Sequence, residues 1–338
     1  MEALIGLDIG FGDVKVIARL NDKKDATDTD PELMFKYPTA IAYTRNGIIG
    51  DLARQEEYDF NSRAFVAGSA ALQCHDLFST RDIEFLMTYS PLLAYKAMAD
   101  IARTASIPLA DLLSANKRLC LGIPLAYYPR REELKRRLSA YSVSGDAVRF
   151  DNIEVRAQSQ GILFDYMLDE QGRPVDERIN QNVLVLDIGF NTVDVLGVID
   201  GRPNREWSGM LENGGICRIC EELKTYLQKE LSFSLSEQVV KEVLQKGRVS
   251  LYGADRDLST PVRRANEAYS DWLGREVNSR WDDFLKRADK LIIAGGGAYY
   301  VNELQDRYPR EFVFIPDDPE YSNARGFLKF GMRASPTV

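Results

Sequence analysis

Two stretches of the chain share one pattern of apolar and polar positions. Ala3-Leu4-Ile5-Gly6-Leu7 runs into Asp8, a glycine-containing turn follows, and Val14-x-Val16 continues with Ala18 and Leu20. Val183-Leu184-Val185-Leu186 runs into Asp187, a second polar turn follows, and Val193-x-Val195 continues with Gly197 and Ile199. An apolar run, a polar turn and then apolar residues at period two predict a strand–turn–strand hairpin with one buried face. Written out, DIGFGDVKV (8–16) and DIGFNTVDV (187–195) agree at six of nine positions and start 179 residues apart. That separation is about one domain length.

Elsewhere the pattern predicts a polar loop over 21–32 and short strands within 35–43, 47–50 and 65–68. Helices follow around 82–104 and 108–116, then a buried strand at 118–124 and an amphipathic helix over 130–141. Strands within 147–158, a helix over 161–170 and a polar loop over 171–182 lead to the second hairpin. After it come strands to about 200 and helices at 215–231, 236–246 and near 262–287. The chain closes with a strand at 290–294, a glycine turn, a helix over 299–308, a strand over 311–315 and a helix over 322–331. Strands mixed with crossover helices, twice over, indicate an α/β protein with two similar halves.

Composition narrows the function classes. With 338 residues, 45% of them hydrophobic, there is material for two ordinary cores. A net charge of −8 argues against broad nucleic-acid binding. The N-terminus lacks a basic segment and reads as no signal peptide, and no apolar run approaches the ~20 residues of a membrane helix. A cytoplasmic protein without membrane contact is therefore expected. Four cysteines in this length do not make a disulfide scaffold. Cys217-x-x-Cys220 is a lone pair with no second pair at metal-ligand spacing, and His75 is far off in sequence. Spaced i, i+3 in a helical pattern with Ile216, Ile219, Leu223, Tyr226 and Leu227 on the apolar side, these cysteines read as packing residues.

The turns themselves suggest chemistry. Gly10-x-Gly12 is not a dinucleotide fingerprint, because the next segment alternates like a strand instead of opening a helix. A GxxxxGK[ST] phosphate loop does not occur either. Glycine-rich hairpin turns can still present backbone N–H groups to phosphate oxygens. Asp8 and Asp187 at the mouths of those turns would repel phosphate, but suit Mg²⁺ or its coordinated waters. Two ordinary hairpins would need Asp and Gly only for turn geometry; the repetition at domain spacing favours a shared ligand. Gly295-Gly296-Gly297, between an apolar strand and an expected helix, would let a ligand approach the backbone. Gln158-Ser159-Gln160 precedes an apolar helix, and a glutamine amide can orient water for in-line attack.

In their order, these segments resemble the actin–Hsp70–hexokinase superfamily, and within it the bacterial actin-like ATPases of the ParM/StbA plasmid-segregation type, along nearly the full length. LDIGFGDVKV is similar to their first phosphate motif, with Gly10, Phe11, Gly12, Asp13 and Lys15 as binding residues. LVLDIGFNTVDV is similar to the second, with Gly189, Asn191 and Thr192, although Phe190-Asn191 replaces a glycine-rich pair. QGILFDY resembles the first connecting helix and would make Gln160 the water-positioning residue, with Gln158, two positions earlier, as the open alternative. Gly214-Gly215 resembles the ribose-side turn, Lys241 and Glu242 a nucleoside-lining pair, and IIAGGGAYY the adenosine motif with Gly295, Gly296, Gly297 and Tyr299. SNARGFLKFG resembles the helix returning the chain to the first domain.

The resemblance implies two ribonuclease-H-like domains of mixed sheets flanked by helices, with ATP and Mg²⁺ in a cleft between them. It implies domain I at 1–180 with 316–338 and domain II at 181–315. Asp8 and Asp187 would hold Mg²⁺ through water, and hydrolysis would drive assembly and disassembly of a homopolymeric filament. A DNA-binding adaptor protein would be the further partner, without direct nucleic-acid contact. A small-molecule kinase or a non-polymerising scaffold of the same fold are the alternatives. The kinase would need a carboxylate base, where this sequence offers glutamine.

Overall fold

A computed structural model of the chain describes residues 1–21, 32–44, 56–78, 82–232, 235 and 237–333. Most of the loop expected over 21–32, and the strand expected at 47–50, lie outside the described residues. Two compact units result: Met1–Ile179 with Glu320–Val338, and Asn180–Pro319.

The first unit is organised on a five-stranded sheet. Its hairpin pairs Glu2–Ile9 with Asp13–Asn21, and Leu33–Pro38 adds a third antiparallel strand. On the other side of Glu2–Ile9 lie Asn116–Ile123 and then Asn152–Ala157, both parallel. Parallel neighbours need crossover connections, and helices Ile83–Thr104 and Arg131–Ser139 occur in those connections. Glu2–Ile9 is central and buried from Ala3 to Ile9, so it reads as a continuous apolar run.

The second unit repeats this strand order. Val183–Ile188 pairs antiparallel with Val193–Ile199, which pairs antiparallel with Arg202–Leu211. Lys290–Ala294 and Val313–Phe314 follow in parallel on the other side. Helices Cys217–Leu231, Glu237–Lys246 and Ser259–Leu285 occupy the long crossover. Leu184, Leu186, Val193 and Val195 join Leu223, Leu227, Leu273 and Val277 in one core cluster. The duplicated hairpin is thus the visible part of a duplicated sheet.

Three local expectations need correction. Arg202–Leu211 is a ten-residue strand where none was expected. It is half-exposed and pairs across a register shift between Val195 and Gly197, which blurs the alternation a sequence pattern depends on. Arg248–Leu251 and Ala254–Asp257 form an unexpected small hairpin, turning at Tyr252 and Gly253 with φ of 51° and 79°. The helix expected over 299–308 shrinks to a 3₁₀ segment, Gly296–Tyr300, and the single turn Asn302–Gln305. Val301 lies between them at φ −127°, outside the helical region.

The return helix Ser322–Arg333 packs on the connecting helix Gln160–Met167. The approach is close enough that a Cβ on Gly326 would fall 1.7 Å from the Gly161 carbonyl oxygen. A buried charge cluster holds the same pair. Asp165 accepts from Ser322 Oγ at 2.7 Å and from Arg325, and pairs with Lys329 Nζ at 2.9 Å. Bidentate arginine contacts of this sort fix orientation as well as distance.

Candidate functional site

Each unit presents its hairpin turn on the same plan. Asp8, next to last in its strand, pairs with Lys15 in the register, and Asp187, next to last in its strand, pairs with Asp194. Both Asp8 and Asp187 are buried. Lys15 Nζ is 3.5 Å from Asp8 Oδ2, so the first turn carries a cation that the second lacks at the matching position. Gly10 N–H donates to the Asp13 carbonyl at 3.1 Å, and Gly189 N–H donates to the Thr192 carbonyl at 2.9 Å.

That geometry corrects part of the expected binding set. Gly10 and Gly189 use their amides to close their own turns, so the amides they were expected to offer to phosphate are engaged. Phe11 is core rather than surface, buried with the first sheet. Thr39, which no sequence signal singled out, seals the first turn from outside. Its Oγ1 donates to the Gly10 carbonyl at 2.7 Å and its N–H to the Gly12 carbonyl at 3.0 Å.

The second turn is supported by the glycine pair expected on the ribose side. Gly215 N–H donates to the Asn191 carbonyl at 3.2 Å, Ile216 N–H to Gly189 at 3.1 Å and Cys217 N–H to Phe190 at 2.8 Å. Gly214 and Gly215 therefore stand directly behind the turn. Tyr269 Oη donates to the Gly214 carbonyl at 2.8 Å, and burial pushes that hydroxyl well above its ordinary pKa, so it stays a donor. Tyr269→Phe should destabilise the protein by roughly 1–2 kcal/mol through loss of this buried hydrogen bond. Equilibrium urea unfolding reads it, and an unchanged midpoint would show that Tyr269 does not brace the turn.

Phe190, which looked like a departure from a glycine-rich loop, has a structural task. Lys241 Nζ lies 3.7 Å from the centre of its ring, a close cation–π contact. Lys241 is thus brought to the second turn. Its neighbour Glu242 is not: it pairs along its own helix with Lys246 at 3.1 Å, because adjacent helical residues point about 100° apart.

The three glycines divide their roles. Gly295 takes φ +83°, and any Cβ there would sit 2.6 Å from Asp187 Oδ1, so only glycine fits beside that carboxylate. Gly296 has open space where a side chain would be. Tyr299, half-exposed, lines a cavity of about 460 Å³ with Gln245, Arg263 and Asn266. The Asn191 and Asn266 side-chain oxygens are buried with no hydrogen-bond partner among the described residues, a condition that buried acceptors rarely keep without a ligand or water.

The two glutamines have different partners. Gln158 Nε2 donates to Asp8 Oδ1 at 2.7 Å, whereas Gln160 Oε1 accepts from the Ala157 backbone N–H at 3.1 Å. Gln160 opens the helix and folds back on the strand end. Gln158, still bonded to the sheet through its N–H to the Ile123 carbonyl at 2.8 Å, is the one that faces the carboxylate. Between them Ser159 adopts φ +68°, a left-handed conformation that costs a non-glycine residue roughly 1–2 kcal/mol.

Cys217 and Cys220 are buried and form no disulfide, and no cluster of three or more His, Cys, Asp or Glu suited to a metal occurs among the described residues. No helix among the described residues is long and apolar enough to cross a membrane.

Comparison with known proteins agrees with the architecture. Residues 6–162 match the family model for the N-terminal domain of actin-like proteins, and residues 185–306 match the C-terminal model of archaeal MreB-like actin homologues. No curated protein matches the chain. Among solved structures, an archaeal actin homologue superposes with a TM-score of 0.76 at 18% identity, covering 98% of this chain and 100% of its own. A 15-stranded ParM filament from Clostridium botulinum gives 0.72 at 20% identity, covering 98% and 99%. ParM from Bacillus thuringiensis with ADP gives 0.70 at 18%, again covering 98% and 99%.

Proposed function

Because this chain is an actin-like protein, we propose that it binds Mg-ATP, hydrolyses it, and uses the cycle to assemble into dynamic filaments of its own copies. The observation that carries this reading is the same aspartate-ended turn built twice, once in each unit. Relatives support it: one solved structure is a ParM filament, and others hold ADP or AMPPNP.

Lys15, Gly12, Asp13 and Thr192 would meet the phosphates through the lysine charge and the turn amides. The cavity beside Gly296 and Tyr299 would take the nucleoside, with Lys241 nearby on Phe190. The donors suit a hard divalent cation: Asp8 and Asp187 are carboxylates, and Asn191 keeps a buried oxygen without a partner that a metal-bound water could serve. Mg²⁺ held there would neutralise phosphate charge as phosphoryl transfer proceeds. Gln158, fixed against Asp8, would hold the attacking water in line with the γ-phosphate.

A subunit that contacts its neighbour through two unlike faces grows into an open filament when the rotation between copies does not close. A γ-phosphate that favours the lattice-fitting shape needs only ~1–3 kcal/mol of coupling to shift the critical concentration about 5–150-fold. Segregation of a plasmid or other DNA in the cytoplasm, through a DNA-binding adaptor, is the biological role this cycle would serve. The acidic chain itself is a poor DNA ligand.

High-speed pelleting and light scattering with Mg-ATP, a non-hydrolysable analogue, ADP and no nucleotide test the proposal. The expected result is polymer with ATP or the analogue and little with ADP. Scattering that stays flat in every arm, including with a crowding agent, would favour the kinase or scaffold instead.

A further inference from the structure

We propose that Asn323, on the return helix, is a positioning residue for hydrolysis: its carboxamide holds Ser159 in the left-handed turn that aims Gln158 at Asp8. This rests on the reading of Gln158 as the residue that orients the water.

The sheet ends at Ala157 and the connecting helix begins at Gln160. Since Gln158 N–H still bonds Ile123 across the sheet, the change of direction falls on Ser159. Ser159 is wholly buried, and its N–H donates to Asn323 Oδ1 at 3.0 Å. Its own hydroxyl is occupied by the neighbouring Gln158 carbonyl. A left-handed serine persists only where the surroundings over-determine it, and Asn323 supplies an acceptor for that buried amide.

A second contact comes from the same face of the return helix. Phe327, four residues on, is fully buried with its ring against Gly122. A Cβ on Gly122 would come within 2.8 Å of both that ring and Gln158 Cγ. Residues four apart lie one above the other on a helix. Asn323 therefore fixes the backbone beside Gln158, while Phe327 closes the space alongside its stem. Without the Asn323 acceptor, Ser159 N–H would be buried and unsatisfied. The turn would then relax toward negative φ and carry the Gln158 amide off Asp8. A displacement of about 1 Å at a reacting group can cost on the order of 10²-fold in rate.

Asn323→Leu should lower kcat for ATP hydrolysis about 10- to 100-fold while KM and the affinity for a non-hydrolysable analogue change less than about threefold. Ser159→Gly, which adopts positive φ freely, should restore kcat in the Asn323→Leu background. A merely structural role predicts neither the split nor the rescue. Asn323→Ser, smaller and too short to reach, gives the same reading if the leucine variant fails to fold, as judged by thermal melting. Wild-type kcat in a folded Asn323 variant, or a loss that glycine at 159 does not rescue, would overturn the proposal. Gln158→Ala separates the two levels. If it slows turnover and Asn323→Leu does not, the positioning role alone falls; if it leaves turnover unchanged, the reading beneath it falls too.

Discussion

Asp187→Ala should leave the protein folded and reduce ATP turnover by at least ~10²-fold, the scale of losing a group that places charge against a transition state. Asp187 is next to last in a strand whose six residues are all buried. It is held at a fixed register against Asp194, and Gly295 passes so near its Oδ1 that no side chain fits there. Phosphate release at saturating Mg-ATP should collapse, while circular dichroism should show the fold retained. Asp187→Asn, equal in size, should behave like the alanine variant if charge is what matters. Wild-type turnover in a folded Asp187→Ala protein would remove the paired turns from the mechanism.

The duplicated turn was readable because its information is local. Asp, Gly and the period-two valines lie within nine residues, and hairpin register follows from them. The same holds for the return helix and for the strand before the three glycines. What escaped lies between distant segments. Thr39 reaches Gly10 across 29 residues, Tyr269 reaches Gly214 across 55, and Asn323 reaches Ser159 across 164. Periodicity carries no signal for such pairs. Arg202–Leu211 was missed for a related reason: at a sheet edge with a bulge in its partner, its two faces are not sharply different. Phe190 shows how a motif departure can mislead, since the lost glycine is matched by a platform for Lys241.

Gln158→Ala should slow hydrolysis by roughly 10²-fold with nearly unchanged ATP affinity, and Gln160→Ala should have much the smaller effect. Sequence comparison by motif favours Gln160, because it stands next to the helix glycine as in QGILFDY. Geometry favours Gln158. Only Gln158 reaches Asp8, with Nε2 at 2.7 Å from Oδ1 and 3.4 Å from the Ile9 carbonyl. Gln160 answers the Ala157 N–H at the strand end. An amide that orients water acts mainly in the transition state, so its loss lowers kcat and spares binding. Loss of the Gln160 contact instead strips an acceptor from a backbone amide, which should appear as about 1 kcal/mol of stability and little else. Single-turnover hydrolysis beside equilibrium binding of a non-hydrolysable analogue separates the two variants. A kcat defect in Gln160→Ala with none in Gln158→Ala would return the catalytic role to Gln160, and would require the Asp8–Gln158 contact to break when nucleotide binds.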